Sequence, residues 1–159
     1  MTPANRLILA HIWVAIIAFG LGAMMAVMQA LARAGIELPF GTARLYYLSV
    51  TAHGVLEALV FTTFFIMALG YVVADTTLGR IRGMGWAWGG FWVAVVGTVM
   101  TTLAILSGTS TVLYTFYPPL TGSVFFYLGV LLVVVGSWIW VAVMIAAMIK
   151  ETTATMPSA

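Results

Sequence analysis

His53 and Glu57 stand four residues apart in a run that is otherwise apolar or weakly polar: Tyr46-Tyr47-Leu48-Ser49-Val50-Thr51-Ala52-His53-Gly54-Val55-Leu56-Glu57-Ala58-Leu59-Val60-Phe61. On a helix this spacing sets both side chains on one face. A neutral imidazole there can bind a haem iron through one ring nitrogen while the other donates to a neighbour. Gly54 follows, and a missing side chain beside a ligand His lets a flat macrocycle lie close to the helix. The simpler alternative is a His hydrogen-bonded to another helix. Glu57 admits three roles: a neutral acid donating a hydrogen bond, a member of a proton path, or a metal ligand beside His53. One His and one Glu are too few for a metal site of their own. The neutral donor ranks first, because a lone carboxylate is costly in hydrocarbon.

The remaining histidine, His11, has Trp13 close behind it. The pair reads as an interfacial or snorkelling His beside a belt tryptophan. His11 and His53 do not serve one haem. They belong near opposite membrane faces, roughly 15–20 Å apart along the normal at helical rise, so a second axial ligand for His53 has to come from another chain.

The elements that position these groups follow from composition. The chain has 159 residues, 64% hydrophobic and 6% charged, where a soluble domain carries about 25% charged residues. That excludes a soluble enzyme and a disordered tail. Six basic and four acidic residues, a formal net charge of +2, make no polyanion-binding surface, so no nucleic-acid partner is expected. With no Cys there is no disulfide, thiolate metal site or Cys nucleophile. Nor is there a phosphate-binding glycine loop or a triad pattern.

A hydrocarbon core about 30 Å thick needs about 20 apolar residues. Four segments meet this, over about 7–31, 45–74, 85–106 and 122–149. None alternates as a barrel strand would. The first is too long for a secretory leader and lacks a convincing cleavage site. The expected fold is an all-α membrane protein of four transmembrane helices in one domain, residues 1–159, with a short frayed tail from Glu151. Arg6, Arg80, Arg82 and Lys150 fall on one side and Arg33 and Arg44 on the other, which places both termini in the cytoplasm. His53 then lies about 12 Å below the outer end of the second helix. Small residues at Gly20, Gly22, Ala23, Gly89, Gly90, Gly97, Gly129 and Gly136 suit close helix packing, or else room for a flat cofactor.

The third loop reads Ser110-Thr111-Val112-Leu113-Tyr114-Thr115-Phe116-Tyr117-Pro118-Pro119-Leu120-Thr121-Gly122. Pro118 and Pro119 stiffen the approach to the fourth helix. Tyr114, Phe116 and Tyr117 make an uncharged aromatic cap on the same side as His53. This is either an interfacial belt or a lid over the polar edge of a macrocycle.

Two stretches carry a family resemblance: Tyr46-Tyr47 through Thr51-Ala52-His53-Gly54-Val55-Leu56 to Val60-Phe61-Thr62, and Thr111 to Leu120 followed by Gly122 and Phe126-Tyr127-Leu128-Gly129. Gln29-Ala30-Leu31 also matches. With these the chain resembles the N-terminal part, helices 1–4, of subunit I of haem–copper terminal oxidases of the ba3-type (B-type). The resemblance implies that His53 is an axial ligand of low-spin haem b, and that Tyr114 and Tyr117 neighbour the haems. It implies a respiratory cytochrome c oxidase of the inner (plasma) membrane, passing electrons from a cytochrome c-type donor to oxygen with proton translocation.

Departures limit the match. The family's other haem ligands, its copper histidines and its cross-linked tyrosine come from later helices, and this chain has only two His. It therefore holds no copper site and is not expected to reduce oxygen alone; its partners are other oxidase subunits or the missing C-terminal part of subunit I. Glu57 stands where the family's pattern has an amide. Two other functions compete: a stand-alone b-type cytochrome with one haem shared by two copies of His53, and a non-catalytic relict without haem.

Overall fold

The hydroxyl of Thr2 accepts from the Asn5 amide at 3.1 Å, and Pro3 fills the first turn, where its missing N–H costs nothing. These residues start α1, Pro3–Arg33. It ends where Gly35 turns to φ 76° and the Ile36 amide donates back to the Leu31 carbonyl at 3.1 Å. Thr42 caps α2 in the same way, accepting from the Leu45 amide at 3.2 Å. Helix α2 runs as one rod over Ala43–Leu78, and its stretch Val55–Phe61 is π-helical. Helix α3 covers Met84–Leu106 and α4 covers Val124–Thr155. The computed structural model describes residues 1–36, 42–79, 81, 83–112 and 120–155, of which 150–155 are described by backbone alone.

All four helices are long and apolar enough to cross a membrane. The first three expected spans fall inside α1, α2 and α3. The fourth helix begins two residues later than expected and continues through 151–155, which composition had assigned to a frayed tail.

Helix α1 packs along α2, and α3 packs along α4. The second pair is held at backbone distance by glycines. A Cβ at Gly97 would stand 2.5 Å from the Gly129 carbonyl oxygen, and one at Gly129 would stand 2.7 Å from that of Gly97. Gly90 and Gly136 repeat the arrangement about two turns away. These four glycines are helix-packing residues, as membrane bundles require where lipid supplies no hydrophobic drive between helices. Helix α1 uses the same device: Ala15, Ala18 and Gly22 are buried while Ile16, Ile17, Phe19 and Leu21 are exposed.

Candidate functional site

The π-helical stretch begins two residues after His53 and contains Glu57. Such insertions concentrate at functional sites. The Thr62 hydroxyl donates to the Glu57 carbonyl oxygen at 2.8 Å and supports the widened turn. Before it, the Ser49 and Thr51 hydroxyls donate to Tyr46 and Tyr47 carbonyls of their own helix at 2.7 and 2.9 Å.

Three polar contacts fix α2 against α1 in antiparallel register. Arg33 Nε donates to the Tyr46 hydroxyl at 3.0 Å, Gln29 Nε2 to the Ser49 carbonyl at 3.1 Å, and His53 Nδ1 to the Gly22 carbonyl at 3.0 Å. A carbonyl only accepts, so Nδ1 carries a proton, and in the neutral ring the lone pair is then on Nε2. Nε2 has no hydrogen-bond partner among the described residues, and His53 is half-buried. This is the state an axial ligand needs: one nitrogen oriented by the protein, the other free to bind iron. Gly54 is buried.

Glu57 reaches the same residue of α1. A Cβ at Gly22 would meet Glu57 Oε1 at 2.5 Å and its Cδ and Cγ at 2.9 Å. His53 and Glu57 therefore both converge on Gly22, one through the carbonyl and the other against Cα. Toward the first loop, an open groove of about 390 Å³ lies between the ends of α1 and α2, lined by Arg33, Thr42, Tyr46 and Tyr47 among others. Arg44 ties this end to the third loop, donating to the Gly108 carbonyl at 3.3 Å.

His11 is not interfacial. It is 0% exposed, enclosed by the rings of Phe64, Tyr71 and Phe91 at centroid distances of 5.7, 5.3 and 4.8 Å, and its Nδ1 donates to the Leu7 carbonyl at 2.9 Å. Its place on the inner face of α1 overrides its nearness to the helix start; Trp13, two residues on, is 61% exposed. Gly22, which holds His53, lies eleven residues beyond His11, about 16 Å along the helix. The two histidines are at different levels and form no common site. Tyr114, Tyr117, Phe116, Arg80 and Arg82 lie outside the described residues. Among the described residues no three His, Cys, Asp or Glu side chains gather as a metal site.

Gly22 and Gln29 position the site, yet neither is marked for that role in the sequence; Gly22 is one small residue among many.

A family model for cytochrome c and quinol oxidase polypeptide I matches residues 6–159. The chain belongs to that family. It is similar to cytochrome c oxidase subunit 1 of Thermus thermophilus, with 42% identity over 102 residues, 64% of this chain and 18% of that protein. The fold is similar to a chain in a solved haem–copper terminal oxidase dimer, with a TM-score of 0.83 and 31% identity over 95% of this chain and 27% of that one. The chain thus spans less than a third of the length of these relatives. Membership in the family accounts for the all-helical fold.

Proposed function

We propose that this chain forms the first four helices of a ba3-type oxidase subunit I and holds haem b through His53 Nε2. The observation that carries the reading is the Nδ1 contact to Gly22, which orients the ring and leaves Nε2 for iron. The haem supplies reversible one-electron transfer when bound. The chain's own part is to fix the imidazole's tautomer and direction and to line the approach with Glu57 and the first-loop groove. Tyr114 and Tyr117 are proposed haem neighbours, and Gly54 is proposed to keep the helix backbone close to the cofactor.

The second axial ligand, the copper histidines and the oxygen-binding haem come from the remainder of subunit I or a partner chain, so oxygen reduction belongs to the assembly. A cytochrome c-type donor feeds that assembly. The 1–159 unit is a single multi-pass domain of the plasma membrane with both termini cytoplasmic, supported by the distribution of Arg6, Arg80, Arg82 and Lys150 against Arg33 and Arg44.

The test is a visible spectrum of the assembled complex. His53→Ala is expected to abolish the low-spin b-type signal while assembly is retained. An unchanged signal rejects His53 as ligand.

A further inference from the structure

Gln29 stands on α1 two turns beyond Gly22, about 10 Å along the helix and on the same face. Its Nε2 donates to the Ser49 carbonyl at 3.1 Å. That carbonyl belongs to the turn that carries His53. In an α-helix each N–H donates to the carbonyl four residues back, and Ser49 precedes His53 by four residues within the α-helical part of α2, Ala43–Gly54. The Ser49 oxygen thus takes the His53 amide on one lone pair and the Gln29 amide on the other. Ser49 is 4% exposed, and its hydroxyl is turned to the Tyr46 carbonyl at 2.7 Å, so it competes with neither.

His53 is therefore held to one face of α1 at two points. Its ring donates to the Gly22 carbonyl at 3.0 Å, and its peptide is tied through Ser49 to Gln29. A single point leaves the ring free to swing about it, whereas the second fixes the turn from which the ring projects. The helix below does not supply that second point. The π-helical stretch begins two residues after His53 and takes up rotation between the two segments, so the packing of Phe64 and Tyr71 against His11 does not set the angle of the His53 turn. At the upper end, the Arg33–Tyr46 bond is exposed and hangs on a long side chain with many rotamers. Gln29 and its acceptor Ser49 make a part-buried contact between these two.

We propose that Gln29 is a positioning residue for the His53 imidazole, acting through the Ser49 carbonyl to fix the ring's direction and keep a proton on Nδ1. Its importance for haem rests on His53 being the ligand, as proposed above; its hold on the ring does not. Gln29 itself touches no cofactor in this role.

The chain has two histidines, so nitrogen-15 NMR of the histidine-labelled full chain in detergent micelles reads both rings at once, at mildly alkaline pH where imidazole is neutral. In the unaltered chain His53 is expected in the Nδ1–H form. Gln29→Met keeps the length and bulk of the side chain and removes its donor. It should lower the ratio of the Nδ1–H to the Nε2–H form of His53 about fivefold, the equivalent of one hydrogen bond of about 1 kcal/mol. His11, whose Nδ1 bond to Leu7 lies within α1, should not respond. Ser49→Ala removes the hydroxyl, keeps the carbonyl and should leave the His53 signals in place. An unchanged His53 ratio in folded Gln29→Met overturns the proposal. So does an equal change at His11, which would mean a general loosening of the bundle, and so does a Ser49→Ala effect as large as that of Gln29→Met. Should Gln29→Met fail to fold, Gln29→Asn, whose amide is drawn back by one methylene, makes the same comparison. This readout needs no haem: an unchanged b-type signal in assembled His53→Ala rejects the ligand reading and leaves the Gln29 result as it stands.

Discussion

His53 and Glu57, on successive turns of α2, converge on a single residue of α1, Gly22, whose carbonyl receives the His53 Nδ1 proton at 3.0 Å. The glycine is a shared abutment, so a change there reaches both side chains.

Gly22→Ala is the direct test. The new methyl would stand 2.5 Å from Glu57 Oε1 and 2.9 Å from its Cγ, which forces Glu57 aside or α1 away from α2. A cost of about 1–3 kcal/mol is expected, together with a broadened or shifted low-spin haem spectrum in the assembled complex. Gly22→Ala combined with Glu57→Ala should recover most of both losses. No recovery would place the strain elsewhere.

Glu57→Gln should be tolerated. The amide keeps the volume packed on Gly22 and keeps a donor, and the side chain makes no ion pair among the described residues. Haem content and turnover of the assembly are expected to match the parent. Normal assembly with blocked turnover would instead identify Glu57 as a proton relay, since an amide cannot titrate.

The α3–α4 pair gives a contrast within one helix. Gly97→Ala drives a methyl into the Gly129 carbonyl, whereas a Cβ at Gly89 meets nothing within 4 Å. Gly97→Ala should lose at least about 1–3 kcal/mol. Gly89→Ala should be neutral or gain up to about 1 kcal/mol from helix propensity. Thermal unfolding in one detergent compares them, and equal effects would contradict the packing described.

His11→Ala should cost about 2–4 kcal/mol, in the range of large-to-small changes in a packed core, because His11 is enclosed by three rings. The haem spectrum of the folded fraction should be unchanged, since His11 lies about 16 Å along α1 from the residue that holds His53. A spectral change would tie the two levels together.

The four helices were legible because each needs only length and apolar character. The polar groups inside α2 were legible because hydrocarbon makes His53 and Glu57 conspicuous. What composition does not encode is direction around each helix. In water the buried face is the apolar one, but here both faces are apolar and hydropathy does not separate them: Ala15, Ala18 and Gly22 face in while Ile17, Phe19 and Leu21 face out. His11 was read as interfacial from its nearness to the helix start and to Trp13, which say nothing of the side of the helix it lies on. The π-helical stretch was equally hidden, since Val55–Phe61 is an ordinary apolar sequence whose register is set by the contacts on either side of it.

That widened stretch also divides α2 into two gears on one shaft. The segment bearing Tyr46, Ser49 and His53 meshes with Gly22, Gln29 and Arg33, and the segment bearing Phe64 and Tyr71 meshes with His11. Each must keep its own angular phase, and Val55–Phe61 takes up the difference between them. Deleting one residue there would turn the His53 segment by about 100° against the rest, uncoupling the ring from Gly22 while leaving the aromatic core below it engaged. A rotation of that kind could separate cofactor loading from bundle formation without altering either set of contacting residues.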